Sequence, residues 1–153
     1  MGSEACWSVA VVLVLLALAG CVCGGALSRT EARVGEVVLD LEIAVSASER
    51  ACGLAYRKSL PTDSGMLFVF SERSEVFFWS RDLRIPLDLA FLNEHGEILV
   101  IHQMQPGSRR YHKSPQVTRY AIETHIHWFR NRGIGVGDVV EWSDYSGYFS
   151  ANQ

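Results

Sequence analysis

Two carboxylates are candidates for chemistry. Asp88 interrupts the run Ile85-Pro86-Leu87-Asp88-Leu89-Ala90-Phe91, and Glu123 closes the stretch from Val117. A carboxylate inside an apolar strand is costly unless it is paired or faces water. Asp88 therefore reads in two ways. It is either a site residue beside Trp79, or a structural charge that faces solvent or pairs with Arg57 or Arg50. Glu123 has the same two faces. It could be a second site carboxylate, or it could sit favourably near the positive end of a following helix. Two carboxylates about 5 to 9 Å apart, one with a raised pKa, can do glycosidase-type acid–base work. That separation is a tertiary property and is not written in the sequence.

Other residue types carry weaker chemistry. His125 and His127 form a His-x-His. On a strand both would face one side and could hold a metal; on a helix they would point nearly opposite ways. Trp128, Phe129 and Gly133 favour the helix, so no metal site is assigned. Of the four cysteines, Cys6, Cys21 and Cys23 precede the body and Cys52 stands alone within it. With no C-x-x-C pair, a zinc knuckle and a thioredoxin-type motif are excluded. Cys52 reads as a small buried hydrophobe on a short helix, with pairing to Cys23 open in an oxidising compartment. Phe68, Phe70, Phe77, Phe78 and Trp79 would mostly be core. Consecutive aromatics on a strand force one ring outward, and Phe77 or Trp79 is the candidate. Exposed rings suit sugar or peptide surfaces.

The elements that position these groups follow from hydrophobic period. Val37 to Val45 alternates Leu39, Leu41, Ile43 and Val45 with Asp40, Glu42 and Ala44, a half-buried strand. Ser46-Ala47-Ser48-Glu49 is a capping box opening a short helix that stops near Gly53. Met66–Phe70 and Glu75–Trp79 are apolar and aromatic strands, with Ser71 to Ser74 as a turn between them. Pro86 to Leu92 is a third, its proline marking a start or bulge. Asn93-Glu94-His95-Gly96 makes a hairpin loop to a strand from Glu97 to Met104. Gln105 to Pro115 reads as a polar loop. Val117 to Glu123 is a strand, Thr124 caps a second short helix ending at Gly133, and Val139 to Trp142 is the last strand. About seven short strands and two short helices predict a mainly β, sandwich-like or barrel-like domain.

The chain has 153 residues, 48% hydrophobic and 20% charged, with a formal net charge of -3. That is one globular domain, with no electrostatic case for nucleic-acid binding. The first part of the chain is different. Val9 to Ala19 is an unbroken apolar run. At about 1.5 Å per residue it reaches roughly 17 Å, short of a bilayer core of about 30 Å. The length fits the hydrophobic region of a signal peptide. It runs into Leu18-Ala19-Gly20-Cys21, which resembles the lipobox of bacterial lipoproteins, where acyl chains of the palmitate class are attached to the cysteine. More than one chain gives stable anchoring. The only charged side chain before Arg29 is Glu4, a departure from the basic start of most signals. An uncleaved apolar anchor is the alternative. The expected organisation is a signal peptide over 1–20, a flexible tether over 21–33, a β-rich domain over 34–143 and a polar tail over 144–153.

Within the body, Glu49-Arg50-Ala51-Cys52-Gly53-Leu54, Arg57, Ser59-Leu60-Pro61, Asp63 and Gly65-Met66-Leu67-Phe68-Val69-Phe70 stand in order. Phe78-Trp79, Ile85-Pro86-Leu87-Asp88, Phe91, Tyr120, Glu123, Trp128, Gly133-Ile134 and Val136-Gly137-Asp138 follow. This ordered set resembles domain-of-unknown-function family 192, over roughly residues 37 to 142. The resemblance implies a mainly β domain, often exported, and no established reaction. After Trp79 the family usually has a Met-Lys-Asn-Thr-like segment, whereas this chain has Ser80-Arg81-Asp82-Leu83.

These readings lead to an exported, lipid-anchored envelope protein at the periplasmic or extracellular face, with Cys21 as the lipidation site. Its expected role is non-catalytic binding of a small molecule, a glycan or an envelope protein, without a cofactor. The candidate binding residues are Arg50, Arg57, Trp79, Asp88 and Glu123. The alternatives are an envelope glycan hydrolase using Asp88 and Glu123, and a structural partner with Phe77 or Trp79 in an interface.

Overall fold

The computed structural model describes Cys23 and residues 25–143. The apolar run, Cys21 and the tail from 144 lie outside the described residues. Strand β1 (Arg29–Val34) pairs antiparallel with β2 (Val37–Ala44). The fold therefore begins inside the stretch expected to be tether, because Thr30, Ala32 and Val34 alternate inward against solvent-facing Arg29, Glu31 and Arg33.

Helix α1 (Ala47–Cys52) follows, with the Ser46–Glu49 capping box formed in both directions. Burial of the Glu49 carboxylate is outweighed by the Ser46 amide, which holds its pKa below the ordinary value. The segment carrying α1 crosses over to β3 (Ser64–Ser74), which runs parallel to β2. A parallel pair needs such a crossover. Strand β3 continues through the Ser71–Ser74 stretch expected to turn. Strand β4 (Phe77–Trp79) comes next, then β5 (Leu87–Leu92), starting directly after Pro86. Strand β6 (Ile98–Met104) returns antiparallel to β5.

The expected polar loop contains another strand, β7 (Tyr111–Lys113), which pairs with β4 as a separate two-stranded ribbon. Strand β8 (Thr118–His125) lies between β3 and β5. Helix α2 (Trp128–Asn131) starts later than expected. Its first flanking residue is His127 at φ 64°, not Thr124, whose hydroxyl instead donates to the Ser64 carbonyl at 2.9 Å. The last strand is β9 (Glu141–Trp142), paired with β1.

The main sheet has seven strands in the order β6-β5-β8-β3-β2-β1-β9. Its two ends approach each other. Glu97 bridges Val139, the Ile98 amide donates to the Asp138 carbonyl, and the Val140 amide donates to Gly96. The sheet is thus curled toward a barrel, which spares both edges from open exposure. Both faces are apolar. Leu41, Leu67, Ala90, Ile122, Trp128 and Phe129 belong to one core, with α2 against it. Leu54, Met66, Phe68, Leu89, Phe91 and Ala121 belong to the other, beneath the α1 segment and the β4–β7 ribbon. Every residue of β5 is buried for this reason.

Candidate binding site

Alternation along paired strands decides where the two carboxylates go. Glu123 pairs in register with Leu89 on β5 and with Met66 on β3, so it shares the face of Leu89 and Phe91. Asp88, one residue before Leu89, points to the opposite face with Ala90 and Leu92. The sheet separates the two groups, which removes the glycosidase-type pairing.

Asp88 is 2% exposed. Burial raises its pKa, against the stabilising amides of His127 and Phe129 at the start of α2. Its Oδ1 has no hydrogen-bond partner. The structural role is therefore neither of those expected. Asp88 does not face water and does not pair with an arginine; it anchors the α2 turn from the sheet. That is the helix-terminus role expected of Glu123.

Glu123 lies under the other helix. The Leu54 amide, just past the end of α1, donates to its Oε2 at 3.1 Å. Burial raises its pKa to about 7, against the Leu54 amide and the positive charge of Arg57. Two glycines allow this approach. A Cβ on Gly53 would lie 3.2 Å from Glu123 Oε2 and 3.1 Å from the Phe68 ring, on a backbone at φ +50°. A Cβ on Gly65 would collide with the Glu123 carbonyl oxygen. Gly53 thus leaves room for the Glu123 carboxyl and the Phe68 ring, and Gly65 for the Glu123 main-chain carbonyl and the Leu41 side chain.

Glu123 opens onto a cavity of about 490 Å³ between α1 and the β4–β7 ribbon. Arg50, Phe70, Phe77, Phe78, Trp79 and Asp82 contribute to its wall. Arg50 is held by the carbonyls of Val45 and Val69, and its guanidinium lies 5.3 Å from the Phe70 ring centre. Phe78 turns inward, edge-on to Phe68 at 4.8 Å and to Phe91 at 5.6 Å. Phe77 and Trp79 therefore turn outward, as alternation requires, and both are exposed.

Arg57 is elsewhere. It makes a two-pronged ion pair with Glu42, Nη1 to Oε1 at 2.7 Å, and lines an adjoining cavity of about 340 Å³. Of the five expected binding residues, Arg50, Trp79 and Glu123 come together, Arg57 borders the neighbouring cavity, and Asp88 is on the far face.

The structure also adds residues. Cys23 and Cys52 form a disulfide, and both line the two cavities. Cys52 is a half-exposed bridge rather than a buried hydrophobe, and an oxidising compartment was the only signal for it. Tyr111 on β7 stacks with Trp79 at 6.1 Å, although its strand is too short to read from period. Asp82 and Leu83, in the segment that departs from the family pattern, also face the cavity. His125 and His127 are spent on structure. His125 Nε2 meets the Leu60 carbonyl at 2.8 Å and His127 Nδ1 meets Gln103 at 2.9 Å. His102 on β6 and His112 on β7 meet edge to face at 5.5 Å, and burial lowers both pKa values.

The fold and site define a small curled-sheet β domain with a preformed cavity of ligand size. Residues 29–142 match the family described as uncharacterized ACR, domain of unknown function 192, and the chain belongs to it. No curated protein matches the chain. Among solved structures it is similar to a putative transcription regulator from Sinorhizobium meliloti, with 30% identity and a TM-score of 0.74, covering 78% of this chain and 98% of that one. It is also similar to a protein of unknown function from Novosphingobium aromaticivorans, with 27% identity and a TM-score of 0.71, covering 79% and 89%.

Proposed function

We propose that this protein is a binding module of the cell envelope, exported and held to a membrane by lipid on Cys21. It takes a small polar ligand with an apolar face, such as one sugar unit of an envelope glycan, into the Glu123 cavity. The observation that carries this reading is a buried carboxyl with a pKa raised to about 7, lining a cavity of about 490 Å³ walled by aromatic rings. A carboxyl at that pKa can accept or donate a hydrogen bond near neutrality, and aromatic rings stack on the apolar face of a pyranose. Arg50 and Asp82 add polar contacts at the wall. Asp82 and Leu83 of the segment that departs from the family pattern line this wall, so its chemistry differs there from that of relatives with the usual segment.

A catalytic reading lost its pair when Asp88 went to the far face. A regulator-like reading, taken from one relative's description, has a net charge of -3 against it.

The test is isothermal titration of the full chain with monosaccharides and disaccharides of envelope glycans. Binding that weakens at least tenfold in Trp79→Ala and Glu123→Ala is expected. Absence of heat with every sugar, or binding indifferent to both changes, overturns the proposal.

A further inference from the structure

The β4–β7 ribbon presents its outer face to solvent with three large rings. Phe77 is 57% exposed, Trp79 46% and Tyr111 61%. Register places them together, since Trp79 pairs with Tyr111 and Phe77 pairs with Lys113. Cations flank them: Lys113 Nζ lies 5.6 Å from the Phe77 ring centre, and the Arg81 guanidinium 5.7 Å from that of Trp79. Lys113 also pairs with Glu75 at 2.9 Å, which leaves Arg81 as the less committed charge. Amphipathic rings beside lysine and arginine are the side chains that settle at the headgroup level of a bilayer. Anionic headgroups complement the cations.

A separate observation says which way this face points. Cys23 is bonded to Cys52 at a Cα–Cα distance of 5.6 Å, and both line the same cavity as Phe77 and Trp79. Cys21 lies only two residues earlier, a reach of at most about 7 Å. Without the disulfide, the first fixed point is Leu27, packed against the core, followed by Ser28, whose carbonyl accepts from the Ile43 amide. Six residues of extended chain then allow roughly 20 to 22 Å. The disulfide therefore shortens the leash about threefold and fixes which side of the domain it leaves from.

We propose that the Phe77–Trp79–Tyr111 face docks on an anionic bilayer surface, and that the Cys23–Cys52 disulfide holds the cavity rim against that membrane. The proposal rests on acylation of Cys21, as read above, and names the partner of the same site.

The experiment uses the full chain, expressed with its leader and reconstituted into phosphatidylethanolamine–phosphatidylglycerol vesicles carrying brominated acyl chains. Tryptophan quenching is compared among the parent, Trp79→Phe, Cys52→Ser and Cys23→Ser. Trp79→Phe keeps an apolar ring and removes this reporter, leaving the chain's other tryptophans, Trp7, Trp128 and Trp142. The expected result is quenching in the parent that drops in Trp79→Phe to the background of those tryptophans, and a Trp79 contribution, taken as the excess over that background, that falls severalfold in both cysteine variants. Cys23 precedes β1, so Cys23→Ser carries the test if Cys52→Ser does not fold. Equal signals from parent and Trp79→Phe on chains that still float with vesicles overturn the docking and leave the anchoring intact. Undiminished Trp79 quenching in the cysteine variants overturns the role of the disulfide. Failure to float, unchanged by Cys21→Ser, overturns the anchoring and this proposal together.

Discussion

Replacing Glu123 by glutamine should stabilise the protein at alkaline pH and leave it nearly unchanged in acid. The Glu123 carboxyl titrates at about 7 in the fold, against an ordinary 4.5. In the unfolded chain the proton leaves near 4.5; in the folded chain it stays until about 7. Between those values the folded state binds more protons, so stability falls as pH rises. The cost is absent below about 4.5 and complete above about 7. At about 1.4 kcal/mol for each tenfold change it amounts to roughly 3 kcal/mol. Glutamine keeps an acceptor for the Leu54 amide and carries no charge to bury. For a domain of this size that corresponds to a rise in Tm of about 10 °C near pH 8 and almost none near pH 4. The assay is thermal unfolding of parent and variant across that range, reading the difference so that groups common to both cancel. A Tm difference that is the same at both ends, or a variant that melts lower at pH 8, would falsify the account of Glu123 as a carboxylate held at a cost.

Other perturbations separate the remaining roles. Asp88→Ala should cost more than Asp88→Asn by about 1 to 3 kcal/mol, since alanine leaves the His127 and Phe129 amides unpaired and asparagine still accepts; equal denaturation midpoints would refute the anchoring of α2. Gly65→Ala should lower stability by several degrees of Tm or prevent folding, because a Cβ there meets the Glu123 carbonyl; a variant melting within about 1 °C of the parent would refute the close approach. Cys52→Ser should cost about 3.5 kcal/mol, the chain-entropy value for a separation of 29 residues. Urea unfolding under non-reducing conditions checks this, and a parent insensitive to added dithiothreitol would count against the bond. Phe78→Ala should cost roughly 3 to 4 kcal/mol through loss of the edge contacts with Phe68 and Phe91, read by the same urea midpoints.

Much of this was legible from local pattern. Strand β2, the Ser46–Glu49 box, the start of β5 after Pro86 and the hairpin at Asn93 depend on neighbours in sequence, and the chain encodes them there. The outward turn of Phe77 and Trp79 follows from alternation around Phe78. The mainly β class and the family followed from many such short signals in order. Strands β7 and β9 were hidden or shortened because two or three residues show no period. Strand β1 lay within a stretch read as tether.

Only the tertiary structure decided what the charged and reactive residues do. Asp88 interrupts an apolar run and Glu123 closes a mixed one, and neither pattern says which face of the sheet the carboxylate takes. Strand register does, because one residue of offset between paired strands sends a side chain to the other face of the sheet. That offset put Asp88 under α2 and Glu123 in the cavity. Likewise Cys23 and Cys52 are 29 positions apart in sequence and became neighbours only through the path of β1, β2 and α1. Alternation and capping are properties of adjacent residues, whereas a site joins residues whose proximity is created by strand pairing.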